Sequence, residues 1–254
     1  MSAAQVSWPV FGSKLLSRTK IAASTMAFRF ERPAGWEYKA GQFVDITLLQ
    51  PPETDSKGNV RGFSIASAPH EQTIMVATRM RNSAFKRVLA SMPLHSAVSI
   101  EGPFGDLVLH RHGRRPAIML AGGIGVTPFY SIAQQAAHEQ LPHRIVLFHS
   151  NHRPEDAPFL LDLTQLAMWN ANYLYVPTMT APGLPRWQWR GEIGLIRPEM
   201  LSKHLHVQKG SDPSLAGAMY YLAGPPAMVA DMRKMLLDWG ADADNIRVEE
   251  FAGY

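Results

Sequence analysis

The seven residues HRHGRRP, 110–116, separate two hydrophobic rhythms, and this change constrains the fold more than any other feature of the chain. Before it, short apolar segments alternate with turn residues: GQFVDITLL, GFSIASAP, TIMVATRM, AVSIEGPFG and DLVLH. Their spacing suits an antiparallel barrel. One helical stretch interrupts them, SAFKRVLASM at 83–92, with Phe85, Val88 and Leu89 on a shared face. After it, AIMLA, RIVLFHS, YLYVPTMT, AMYYLAG and IRVEEF read as buried strands. Between most of these lie the helical patterns PFYSIAQQAAHEQ, FLLDLTQLAMW, PEMLSKHL and PAMVADMRKMLLDW. Strands alternating with helices predict a parallel sheet covered on both faces, with a domain boundary near residue 113.

Composition bounds the chemistry. With 46% hydrophobic and 18% charged residues among 254, the chain reads as an ordinary soluble globular protein. No apolar run approaches the ~20 residues that span a bilayer, so no membrane span is expected. The opening MSAAQVSWPVFGSK lacks the charged start and apolar core of an export signal, and a cytoplasmic location is expected. Zero cysteines exclude disulfides, thiol nucleophiles, cysteine-bound zinc and cysteine-ligated iron–sulfur clusters. Redox chemistry would therefore need a bound organic cofactor. The formal charge of +4 does not suggest nucleic acid. The histidine pairs 149/152, 204/206 and 110/112 have no third ligand at suitable spacing, so no metal site is expected. PRWQWRGE at 185–192 reads as a loop packed on its own domain rather than a stacking surface for bases.

The segment LAGGIGVTP, 120–128, follows an apolar strand pattern and precedes a helical one. Gly122, Gly123 and Gly125 supply a turn, Thr127 a helix N-cap and Pro128 the first helical position. Such a turn aims backbone N–H groups and the positive helix end at one point, where an anion can bind. The competing reading is a tight strand-to-helix connection, which one or two glycines could make, and three favour the anion. Ser150 to Arg153, Thr178 to Thr180 and AGPPAM at 223–228 end the neighbouring strands, so four loops share one carboxyl edge, where ligands bind in open parallel sheets. The loop departs from the G-x-G-x-x-G fingerprint, and no acidic residue ends the second strand, which argues against an ordinary Rossmann dehydrogenase.

RGFS at 61–64, GPFGD at 102–106, GGIGVTP at 122–128, AGPPAM at 223–228 and the final EEFAGY together resemble the ferredoxin–NADP reductase superfamily, in the right order and over essentially the whole chain. The resemblance implies a six-stranded antiparallel FAD-binding β-barrel over 1–113 and an α/β NAD(P)-binding domain with a five-stranded parallel sheet over 114–254. It implies that Arg61 neutralises flavin phosphate, that Phe63 lies along the isoalloxazine and that Ser64 hydrogen-bonds near N5. Ser83 and Ala84 correspond to the family's pyrophosphate-binding helix start, beside Ala77, Thr78 and Arg79, which implies FAD rather than FMN.

In the second half, Gly122, Gly123, Gly125, Thr127 and Pro128 correspond to the nucleotide loop. AGPPAM at 223–228 corresponds to the family segment that begins Cys-Gly-Pro-Pro, with Ala223 in place of the thiol, and Ala223, Gly224, Pro225 and Met228 are its implied cofactor contacts. Glu249 falls at the position of an active-site carboxylate, the competing reading being an exposed acidic pair on a closing edge strand, and Phe251 falls at that of the ring covering the flavin, with Tyr254 an alternative cover. Ser150 and Arg153 suit a 2′-phosphate and favour NADPH, with NADH the alternative. The implied activity is hydride transfer from nicotinamide to FAD, then electron transfer to a separate ferredoxin, flavodoxin or oxygenase component. Reduction of free flavin as a substrate, or service as a flavin-bearing electron-relay subunit, are the alternatives.

Overall fold

The computed structural model describes residues 9–181, 189–205 and 217–251. The first part comprises β1 (Val10–Ala22), β2 (Thr25–Glu31), β3 (Phe43–Leu48), β4 (Val60–Ser64), β5 (Thr73–Arg79), α1 (Ala84–Ser91) and β6 (Ala97–Phe104). Its six strands pair antiparallel in the order β4-β3-β6-β1-β2-β5. A bridge between Ile65 and Val76 joins the two edges and closes the barrel. Alternation along the strands sends Phe28, Phe30, Val44, Ile46, Val98 and Ile100 into one core, and α1 adds Phe85, Val88 and Leu89 from the expected face.

The barrel differs from expectation in which segments build it. DLVLH forms no strand: residues 106–110 run between the two sheets, and side chains of the second sheet bond the Val108 carbonyl and the His110 amide. Arg247 donates to the Val108 carbonyl (2.7 Å), and the His110 amide donates to the Tyr221 hydroxyl (3.0 Å). The strands that the pattern does not reveal are β1 and β2. β1 carries register shifts against β2 that break its alternation, and much of it is exposed.

The second sheet contains β7 (Ala117–Gly122), β8 (Ile145–Asn151), β9 (Tyr173–Met179), β10 (Glu192–Ile193), β11 (Met219–Gly224) and β12 (Ile246–Glu250). All pairs are parallel, in the order β10-β9-β8-β7-β11-β12. The five expected strands are present; the sixth, β10, has two residues, too few to leave a pattern in the sequence. Helices α2 (Thr127–His138), α3 (Leu160–Trp169), α4 (Pro198–Leu205) and α5 (Pro226–Asp238) cover the sheet. One face buries Ala121, Leu147 and Tyr175 and the other Leu120, Phe148 and Leu222, so β7 is buried throughout.

The chain starts in the middle of this sheet at β7, runs outward to β10, then returns to β11 on the other side. The order therefore reverses between β7 and β11, where an open sheet leaves a crevice beyond its carboxyl ends. The barrel meets that end: Ala27, Met75 and Ala77 belong to the same apolar cluster as Ala121 and Phe129. Polar ties reinforce the contact, with Ser131 Oγ donating to the Ser67 carbonyl and the Ala23 amide to the Glu155 carbonyl, at 2.6 Å each.

Candidate functional site

A cleft of about 230 Å³ opens between β4, β5 and the start of α1 on one side and the β7–α2 loop on the other. It brings together Arg61, Phe63, Ser64, Ala77, Thr78, Arg79, Ser83, Thr127 and Phe251, all singled out in the sequence. Lys57, Arg81, Lys86 and Ile124 also line it and escape the motif reading. Local spacing carries a signal for two of them, since Arg81 lies two residues past Arg79 and Lys86 falls in the helical turn that Ser83 opens.

Five cationic side chains thus share one concave surface: Lys57, Arg61, Arg79, Arg81 and Lys86. Their proximity is visible in Lys86, whose ammonium is pushed below its usual range by burial and then by Arg81, Arg61 and Lys57. Its Nζ donates to the Arg79 carbonyl at 2.7 Å. Arg61 is held in place by Asp55 (3.2 Å) and by the carbonyls of Lys57, Gly58 and Val60, with its guanidinium 5.3 Å from the Phe85 ring centre. Ser83 caps α1, as its position suggests, accepting from the Lys86 amide at 3.4 Å. The Ala84 amide donates to Asp55 Oδ2 at 3.0 Å. Phe63 packs against Phe85 with centroids 5.8 Å apart, leaving one edge on the cleft.

At the inner end, Ser64 Oγ donates to Glu249 Oε1 at 3.0 Å, tying a barrel strand to the last strand of the parallel sheet. Burial raises the Glu249 pKa to about 7; the Ser64 hydrogen bond opposes the rise and the charge of Asp106 adds to it.

The glycine loop differs in detail from expectation. Gly123–Val126 form one 3-10 turn that runs directly into α2, so Thr127 is already helical and is not the N-cap. Its hydroxyl turns back and donates to the Ile124 carbonyl at 2.5 Å, and Pro128 follows within the first turn. Gly125 is required for the close approach to the β11 backbone, and Gly122 makes room for the Met228 side chain. A Cβ on Gly122 would overlap the Met228 sulfur, and one on Gly125 would overlap the Ala223 carbonyl. The loop therefore lies against Ala223, Gly224, Pro225 and Met228, and the Phe251 amide donates to the Gly224 carbonyl at 3.0 Å.

Sequence reasoning missed His149 as a positioning residue. It is fully buried between the Gly123 carbonyl and the Tyr175 hydroxyl, at 2.9 Å from each, and burial lowers its pKa to about 4. The neutral ring donates from Nε2 to the carbonyl and accepts the tyrosine proton at Nδ1. Two strand residues thus fix the direction of the Gly123 carbonyl.

Ser150 and Arg153 do not line the cleft. Ser150, the last residue but one of β8, pairs between Gly122 and Thr178, and Arg153 is exposed, 3.8 Å from Glu155. Between them lies Asn151, 5% exposed, with both amide atoms lacking a protein partner. Tyr254, His206 and residues 185–188 lie outside the described residues. Of the other histidines in the pairs above, His204 bonds Glu192 (2.8 Å) and His110 bonds Tyr221 and the Arg115 carbonyl. Trp189 Nε1 donates to the Glu192 carbonyl, which keeps that tryptophan on its own loop. Among the described residues no helix is long and apolar enough to cross a membrane.

Residues 119–234 match the family model described as the oxidoreductase NAD-binding domain. The chain is 23% identical over 224 residues to flavohemoprotein A of Dictyostelium discoideum, covering 84% of this chain and 52% of that protein. It is 25% identical over 229 residues to one component of the Na(+)-translocating NADH-quinone reductase of Serratia proteamaculans, covering 85% and 54%. The chain spans about half the length of these curated relatives. A ferredoxin NADP+ reductase from Neisseria gonorrhoeae, solved with bound FAD and NADP, superposes with a TM-score of 0.76 at 24% identity, covering 95% of this chain and 98% of that one.

Because Gly125 has no space for a side chain, Gly125→Ala is expected to force the loop away from β11 and destabilise the protein by roughly 1–3 kcal/mol, measurable by urea unfolding. Glu249 binds its proton more tightly when folded, so its contribution to stability is fully present below the ordinary carboxylate range and is lost as pH rises through about 7. The loss reaches about 3 kcal/mol at most, and unfolding curves of Glu249→Gln between pH 5 and 8 should lack that component.

Proposed function

We propose, with the ferredoxin–NADP reductase-like fold as premise, that this chain is a flavin-dependent NAD(P)H oxidoreductase. In this reading residues 1–113 hold FAD and residues 114–254 hold the nicotinamide nucleotide. The observation that carries it is the cleft itself, with five cations beside a helix start, an aromatic ring and Ser64, whose hydroxyl is bonded to the part-buried Glu249 behind it. Those features fit the parts of FAD in turn. Arg61, Arg79, Arg81 and Lys86 suit a diphosphate, Phe63 and Phe251 suit a flat ring, and Ser64 suits a ring nitrogen in either protonation state.

When bound, FAD supplies the hydride-accepting centre and passes electrons onward. The protein's own part is placement and proton handling. The β7–α2 loop and the 223–228 segment, pressed together by Gly122 and Gly125, form the wall against which a nicotinamide is laid. Ala223 stands where the family resemblance implies a thiol; it is buried, so it keeps the wall by packing and offers no polarizable contact. Glu249, with a pKa near 7, takes up or releases a proton at neutral pH, and Ser64 Oγ carries it toward the cleft.

NADPH is the proposed donor in preference to NADH. Arg153 is exposed and pairs with Glu155 only at 3.8 Å, so a 2′-phosphate can compete for it, with Ser150 beside it at the strand end. The electron acceptor is proposed to be a separate ferredoxin, flavodoxin or oxygenase component, and the site of action the cytoplasm.

The test is an anaerobic absorbance spectrum of the purified full chain, with extraction of any flavin and separate additions of NADPH and NADH. Bound FAD bleached faster by NADPH is the expected result. Oxidation of nucleotide only when free flavin is added identifies a flavin reductase instead, and absence of flavin binding overturns both. Arg61→Ala is expected to raise the FAD dissociation constant at least about tenfold, the worth of a charge-assisted hydrogen bond to phosphate, read by flavin fluorescence.

A further inference from the structure

The loop between β3 and β4 carries two carboxylates that meet cations in different places. Glu53 forms a two-point pair with Arg87 on the exposed side of α1, at 2.9 and 2.5 Å. Asp55 turns the other way. Its Oδ1 accepts from the Lys57 amide (3.0 Å) and from Arg61 Nη2 (3.2 Å), and its Oδ2 accepts from the Ala84 amide (3.0 Å), the first of α1. One carboxylate thus takes a guanidinium, a loop amide and a helix-start amide together.

That donor set is what a phosphate group takes from a protein. It stands at the edge of a cleft where Lys57, Arg79, Arg81 and Lys86 add positive charge, and only Asp156, 3.7 Å from Arg79, joins Asp55 as a counter-charge to these residues among the ion pairs of the described residues. The two amides and Arg61 also hold the Asp55 carboxyl below its ordinary range, so it is an anion at neutral pH. Arg61 and the α1 start, the two elements that the family resemblance assigns to phosphate, are both engaged by this single side chain.

We propose that Asp55 is an internal stand-in for a phosphate: its carboxylate fills the oxyanion seat made by Arg61 and the Ala84 amide, and an incoming diphosphate must displace it. The inference rests on the reading that the cleft takes FAD, and it adds a competitor that lowers the affinity of that site. The apparent dissociation constant is the intrinsic one divided by the fraction of molecules with the seat open. A purely structural role for Asp55, orienting Arg61 and capping α1, requires the opposite sign, because removing it would then loosen the phosphate donors.

The experiment compares the flavin-depleted full chain with Asp55→Asn, Asp55→Ser and Glu53→Gln at fixed ionic strength. Glu53→Gln makes the same change of charge in the same loop outside the seat, and Asp55→Ser keeps a small acceptor for the Ala84 amide should the asparagine variant fold poorly. FAD binding is followed by flavin fluorescence and inorganic pyrophosphate binding by thermal shift. Both Asp55 variants should bind pyrophosphate at least threefold more tightly than the parent chain, with Glu53→Gln within twofold of it, and FAD should follow the same order. Weaker or unchanged pyrophosphate binding in the Asp55 variants, an equal gain in Glu53→Gln, or no pyrophosphate binding by any chain overturns the inference. If no chain binds FAD while pyrophosphate keeps the expected order, the flavin reading falls and the role of Asp55 stands.

Discussion

The backbone of the β7–α2 loop lies against the carboxyl end of β11 with no space for a side chain, and the geometry of the candidate site depends on that approach. Gly125 meets the Ala223 carbonyl and Gly122 meets Met228, so the start of α2 and the end of β11 stand side by side at the point where the strand order reverses. His149 and Tyr175 hold the Gly123 carbonyl from below, in a hydrogen-bonded chain that burial keeps neutral. Only with the loop so fixed does the barrel wall carrying Phe63 and Ser64 find an opposing wall in Ile124 and Thr127.

Electrostatics then gives the cleft its character. Collecting Lys57, Arg61, Arg79, Arg81 and Lys86 in one concavity is unfavourable unless an anion is present; the pKa of Lys86, lowered first by burial, is lowered further by Arg81, Arg61 and Lys57. Asp55 supplies part of the counter-charge from within the chain. The inner end is organised oppositely: a carboxyl is kept from ionising easily by burial, beside a serine hydroxyl that donates to it. In the proposed reading the cationic mouth takes the diphosphate and the Ser64–Glu249 pair faces the ring of the same ligand.

Much of this was legible in the sequence because it rests on local chemistry. A buried parallel strand such as β7 shows as an unbroken apolar run, and Ser83 marks its helix start because a hydroxyl there satisfies an amide. What escaped depends on partners distant in the chain. β1 alternates poorly because its register shifts within the sheet, and DLVLH looks like a strand although its backbone bonds go to Arg247 and Tyr221. Thr127 reads as a cap only if the helix begins at Pro128; the preceding 3-10 turn moves the start. Lys57 and Asp55 carry no motif at all, since their role arises from a loop folding onto α1. Ser150 lies at the carboxyl end of β8 and Arg153 in the loop after it, and both stand apart from the lined cleft.

The central claim is that one ligand unites the cationic mouth with the Ser64–Glu249 interior. The most direct measurement is an experimental structure of the full chain with FAD. The account predicts the ring against Phe63 with its nitrogen edge toward Ser64, and phosphate oxygens within hydrogen-bonding distance of Arg61 and the Ala84 amide, with Asp55 moved away. A flavin bound elsewhere on the chain, or phosphates lying outside the cleft while Asp55 keeps Arg61, would contradict it.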